Sequence, residues 1–111
     1  MPRRRTVSQC RLKLECVEEY IRRHQQVWPE LLEAYRKAGI TQISCFLHDL
    51  DLLVYSEFET EVYEKAKDSL ARDPIETRWQ AMMESLRDPA FENHSYDEVF
   101  YMPPEHNEKL A

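Results

Sequence analysis

The chain has 111 residues, a formal net charge of -6, 42% hydrophobic residues and one glycine. That length fits a single domain, and four Phe, six Tyr and two Trp exclude a disordered chain and supply a small core. One glycine excludes the Gly-rich phosphate loops of nucleotide enzymes, and the acidic balance speaks against nucleic acid or an anionic membrane surface as a partner.

The N-terminal residues carry the cluster Arg3-Arg4-Arg5 with no apolar run behind it, unlike a signal peptide. We read the cluster as a solvated end leading into the first strand. No run approaches the roughly 18 apolar residues of a membrane span. Cys10, Cys16 and Cys45 are odd in number and lack zinc spacing. Free thiols in a reducing, cytoplasmic compartment are expected.

From Thr6 to Leu14 polar and apolar residues alternate loosely, with Ser8, Cys10, Leu12 and Leu14 on one side, which predicts a half-buried strand. Glu15 to Gln26 switches to helical spacing through Val17, Tyr20, Ile21 and His24, supported by the acid-to-base pairs Glu18/Arg22 and Glu19/Arg23. Pro29 breaks that pattern and suits the first turn of a second helix. Leu31, Leu32, Ala34, Tyr35 and Ala38 form its apolar stripe. Gly39 follows where a helix favours a left-handed residue.

Ile40 to Leu47 reads as a strand, His48 to Asp51 as a turn, and Leu52 to Glu59 as the partner strand of an antiparallel hairpin. Glu61 to Arg72 is helical through Val62, Ala66 and Leu70. Asp73 is placed to cap a further helix over Ile75 to Leu86. Asp88 to Ser95 is a loop, Tyr96 to Met102 a final strand, and Pro103-Pro104 its end. The polar tail beyond Glu105 is expected to fray.

The order is β-α-β-β-α-β, the ferredoxin-like arrangement of the α+β class. A single domain over 1–111 is expected, with its core from about 5 to 103 and a polar tail over 104–111. Helices cover one sheet face, so the other needs a cover. A second copy of the chain is the simplest cover, giving a two-fold homodimer.

Tyr20 and His24 lie one helical turn apart and share a face. Such a pair makes an acid/base unit, because imidazole titrates near neutrality and a phenol can bond to it or to a substrate hydroxyl. On spacing alone, both residues are better read as amphipathic packing groups at a helix surface. Trp79 offers an indole face for the C–H side of a sugar ring, or serves as core. His48, His94 and His106 show no metal-ligand spacing, and no metal site is expected.

The run Glu19-Tyr20-Ile21-Arg22-Arg23-His24-Gln25-Gln26-Val27-Trp28-Pro29-Glu30-Leu31 and the close Glu98-Val99-Phe100-Tyr101-Met102-Pro103 resemble the L-rhamnose mutarotases. The resemblance runs from about Arg5 to Pro103. It implies a ferredoxin-like domain pairing as a dimeric α/β barrel. It also implies a cofactor-free isomerase that interconverts the α and β anomers of a monosaccharide, L-rhamnose or a related 6-deoxy sugar. By the same resemblance His24 is the catalytic proton donor, and Tyr20 and Trp79 bind substrate. Three positions depart from the family pattern. Gln25-Gln26 replaces Asn-Pro, Ile43 replaces a tyrosine, and Gln80 replaces the second of two tryptophans. A sugar-binding module without turnover, or another enzyme class on the same scaffold, is an alternative reading.

Overall fold

The computed structural model describes residues 2–105. The first strand, β1 (Arg3–Arg11), begins three residues earlier than the alternation suggests. The arginine cluster therefore lies within the strand rather than ahead of it. Arg3 pairs with Glu57 at 3.2 Å, and Arg5 clamps Glu98 through two bonds of 2.7 and 2.8 Å. Cys10 and Leu12 face the core as expected. Leu14 does not: the chain turns into a 3-10 segment at Leu14–Cys16 and leaves that side chain 75% exposed. A period-two argument ends where the strand ends.

Helix α1 (Val17–His24) and helix α2 (Pro29–Lys37) follow. Trp28 is held extended before Pro29, and the proline takes the first helical position, where its missing N–H costs nothing. Gly39 closes α2 with φ +89°. Its N–H donates to the Arg36 carbonyl and its own carbonyl accepts from the Glu59 N–H at 2.8 Å. The hairpin of β2 (Ile40–His48) and β3 (Asp51–Glu59) pairs Leu47 with Leu52 and Cys45 with Val54. Helix α3 (Thr60–Ala71) and helix α4 (Pro74–Leu86) complete the second half. Asp73 caps α4 by accepting the Ile75 N–H at 2.9 Å.

The sheet order is β2-β3-β1-β4, all antiparallel. This is the ferredoxin-like order expected, with each crossover helix split in two by a proline. Helices pack on one face only. There Leu12, Leu31, Leu52 and Met83 are fully buried, each worth about 2 kcal/mol of transfer free energy.

The last strand differs from expectation. β4 spans only His94–Tyr96, paired to β1 from Val7 to Gln9. Beyond it the chain leaves the ladder as an arm, although the register would set Glu98 opposite Arg5. Those two residues meet through side chains instead, and the Arg5 guanidinium also lies 3.4 Å over the Tyr101 ring. Val99, Phe100 and Met102 are exposed, with no apolar cover from the described residues. The tail expected to fray falls on residues 106–111, outside the described residues, as does His106. Among the described residues no helix is long and apolar enough to cross a membrane.

A Cβ at position 39 would lie 2.9 Å from the Val62 Cβ and 3.1 Å from the Tyr63 nitrogen. Gly39→Ala therefore adds a clash to a left-handed strain and should cost about 2 kcal/mol or more. Urea unfolding followed by circular dichroism reads this as a lowered midpoint with an unchanged slope.

Candidate functional site

A cleft of about 1040 Å³ opens between the helical layer and the β2 side of the sheet. Tyr20 and His24 from α1, Ile43 from β2, and Trp79 from α4 all line it. The three residues singled out in the sequence are thus brought together. The His24 ring stacks on Tyr20 at 4.0 Å between centroids, tilted by 24°. The Trp79 indole stands edge-on to His24 at 5.3 Å and to Trp28 at 5.2 Å. The result is a continuous row, Tyr20–His24–Trp79–Trp28, whose offset and edge contacts suit the ring quadrupoles.

His24 Nδ1 lies 2.9 Å from the Tyr20 carbonyl oxygen. A carbonyl can only accept, so Nδ1 carries the proton and Nε2 of the neutral ring holds the lone pair. Burial lowers the His24 pKa below its ordinary 6.5, and the Arg87 charge lowers it further, while the Tyr20 carbonyl bond works the other way. Near neutrality the imidazole is therefore uncharged, with Nε2 able to take a proton.

Tyr20 is 5% exposed. Burial pushes its phenol pKa up, and the neighbouring Cys45 thiol adds to the rise. It stays a neutral hydroxyl across the physiological range. Trp79 is only 6% exposed. It belongs to the core as well as to the cleft wall, and presents less of its face than a free-standing platform would.

Spacing did not single out four further cleft residues, Tyr35, Glu76, Gln80 and Arg87, as functional. Glu76 is a buried charged side chain at 8% exposure. Its Oε1 accepts from the Tyr35 hydroxyl at 3.0 Å and from Gln80 Nε2 at 2.7 Å. Burial and the Glu76 carboxyl raise the Tyr35 pKa, so that hydroxyl remains a donor. Glu76 and Gln80 stand four residues apart on the same stripe as Trp79 and Met83. A carboxyl on the apolar stripe of a helix was the available signal. Arg87, just past α4, also lines the cleft, and its Nε is buried without a partner. No sequence pattern pointed to it. Among the described residues no three metal-ligating side chains converge.

Fold and cleft together define the class: a ferredoxin-like α+β domain built around a half-buried histidine in an aromatic-walled cleft. A family model described as L-rhamnose mutarotase matches residues 5–102. The chain belongs to this family of isomerase-type enzymes. An L-rhamnose mutarotase of Burkholderia ambifaria is 32% identical over 90 residues, covering 78% of this chain and 86% of that protein. One from Lactiplantibacillus plantarum is 32% identical over 95 residues, covering 82% and 90%. Among solved structures, an L-rhamnose mutarotase from Formosa agariphila superposes with a TM-score of 0.70 at 24% identity, covering 90% of this chain and 99% of that one. A cofactor-independent oxygenase from Streptomyces nogalater reaches 0.62 at 9% identity, covering 94% and 100%. These two likenesses speak for the fold alone.

The His24 environment has a measurable consequence. The folded chain holds the imidazole neutral, whereas the unfolded chain titrates near the ordinary 6.5. Below that value the unfolded state binds more protons. The contribution of this group to stability is complete above pH 6.5 and is lost as pH falls from 6.5 toward the lowered folded value. Long-range nitrogen–proton NMR should show an Nδ1–H tautomer titrating below 6.5. His24→Gln should flatten the acid limb of a urea-midpoint against pH profile.

Proposed function

We propose that this protein interconverts the α and β anomers of a pyranose, L-rhamnose or a related sugar, by proton transfer at His24. The observation that carries the reading is the fixed Nδ1–H tautomer, which leaves Nε2 as the proton-transfer atom in the cleft. Family membership and the names of the relatives supply the substrate class.

Mutarotation opens a hemiacetal and recloses it on the other face. Nε2 takes the proton of the anomeric hydroxyl. The O–H electrons form the C1=O1 double bond, and the C1–O5 bond breaks with its pair going to the ring oxygen. The imidazolium then delivers its proton to O5. Both oxygens start out bonded to C1 and are still close as the ring opens, so one nitrogen reaches each in turn by a small shift or through one water. Rotation about C1–C2 and the reverse steps give the other anomer. A lowered pKa makes the imidazolium a ready donor, which suits the second transfer. In this reading Tyr20 holds the imidazole by stacking and through its carbonyl, and its hydroxyl binds the sugar. Trp79 walls the ring. Nothing in these steps calls for a metal or organic cofactor. The free thiols at Cys10, Cys16 and Cys45 support a cytoplasmic setting.

We further propose that the working unit is a homodimer, in the form of a dimeric α/β barrel. The sheet face away from the helices carries Phe46 at 61% and Tyr96 at 44% exposure, beside the cross-strand pair Val7/Tyr55. The arm adds Val99, Phe100 and Met102 at 94%, 80% and 75%. The radius of gyration is 15.6 Å, against about 13 Å for a compact chain of this length. A second copy would cover the face and the arm together.

Magnetisation-exchange NMR on L-rhamnose should show anomer exchange faster than buffer. His24→Ala should slow the catalysed part by about 10²–10⁴-fold. The wild-type rate should be flat above pH 6.5 and fall on acidification with a midpoint below it. Sugar binding by calorimetry with no accelerated exchange would instead select a binding module. Light scattering after gel filtration should give twice the 13.4 kDa chain mass; a 13.4 kDa species would remove the dimer.

A further inference from the structure

The Tyr35–Glu76–Gln80 cluster is the part of the cleft that the proton-transfer reading does not use. Both hydrogen bonds to the Glu76 carboxyl converge on Oε1. Oε2 receives no bond from the described residues, and it is not among the buried polar atoms left unpaired. It therefore keeps some solvent exposure, on a residue that lines the cleft. The cluster has also been built with care. Tyr35 comes from α2, across the helix interface, while Gln80 comes from the next turn of α4. Two neutral donors on one oxygen fix the carboxyl plane and aim the other oxygen. An acceptor so held, in a site of low dielectric, binds a hydroxyl well and is costly to leave unpaired.

The location matters. Gln80 stands where the resemblance sets a second tryptophan, so a stretch of wall that would be aromatic and apolar is here polar. In a 6-deoxy sugar the one apolar substituent is the methyl at C5. The other ring substituents already carry hydroxyls. An added hydroxyl acceptor in the wall is matched by the sugar in which that methyl is hydroxylated. We propose that Glu76 is a specificity-determining residue whose Oε2 accepts a hydroxyl of the bound pyranose. Tyr35 and Gln80 are its positioning residues, and the cleft favours a hexose hydroxylated at C6 over its 6-deoxy counterpart. This deepens the mutarotase reading and rests on it for the substrate being a pyranose.

L-Mannose and L-rhamnose form the matched pair, since they differ only in the C6 hydroxyl. Exchange NMR on the full chain gives kcat/KM for each. A hydrogen bond to a carboxyl acceptor predicts a preference for L-mannose of about tenfold to a hundredfold. Glu76→Gln keeps the volume and a partner for Tyr35 but turns the free acceptor into a donor. It should bring the ratio of the two sugars toward one. Glu76→Leu should bring it to one or below. A ratio is read because loss of structure slows both sugars together and leaves it unmoved. A wild-type ratio of one or less, or a ratio that Glu76→Gln leaves unchanged, overturns the proposal. If neither sugar exchanges faster than buffer, it is the mutarotase reading that fails. Saturation-transfer NMR then measures binding of the same pair. A preference for L-mannose that Glu76→Gln abolishes supports the subsite, and equal binding of the two sugars overturns it.

Discussion

The contact of His24 with Tyr20 is the constraint around which the cleft is arranged. A hydrogen bond of 2.9 Å to the preceding turn's carbonyl and a ring stack at 4.0 Å hold the imidazole. Two such restraints fix the ring's rotation as well as its place. Trp79 closes the third side edge-on, and Trp28 backs Trp79. Each aromatic contact contributes about 0.5–1.5 kcal/mol beyond burial. Their larger effect is geometric. Helix α1 cannot shift on α4 without breaking the row that orients Nε2.

The same packing sets the electrostatics. Burial penalises an imidazolium, and Tyr20 and Trp79, which also orient the ring, are in contact with it. The Arg87 charge acts in the same direction from the end of α4, where the chain is stitched to β1 and the residues just after it by the Asp88 N–H to the Arg11 carbonyl and the Lys13 N–H to the Leu86 carbonyl. Position and protonation state are therefore set by one piece of structure. A substitution that loosens the row alters both at once, whereas one at the sheet's outer face alters neither.

Much of this was legible in the sequence, for identifiable reasons. Pro29, Gly39 and Asp73 act locally, through a missing N–H, a permitted φ and a short carboxylate. Each stands where local chemistry places it. The Tyr20/His24 pair followed from helical period, since both sit on a single element. The final strand did not follow. Alternation from Tyr96 to Met102 suits a strand, but alternation cannot say whether an edge has a partner on its outer face. Arg5 was likewise opaque: its partners Glu98 and Tyr101 are more than ninety residues away. The Tyr35–Glu76–Gln80 cluster lay between these cases. Its α4 half was readable as a carboxyl on an apolar stripe, and its α2 half was not.

Placement of the groups bears on how such a cleft changes its substrate. The proposed proton-transfer atom belongs to α1 and is held within α1 by its own preceding turn. The polar cluster belongs to α2 and α4, and its hydrogen bonds run among its own three residues. Trp79 stands between the two sets and is the element they share. Replacing an apolar wall by the Glu76 cluster therefore leaves the tautomer and desolvation of His24 intact. Hemiacetal opening makes the same demand of every pyranose, one proton off O1 and one onto O5. Hydroxyl pattern, by contrast, differs from sugar to sugar. A cleft that assigns the constant demand to one helix and the variable demand to two others can alter the second without rebuilding the first.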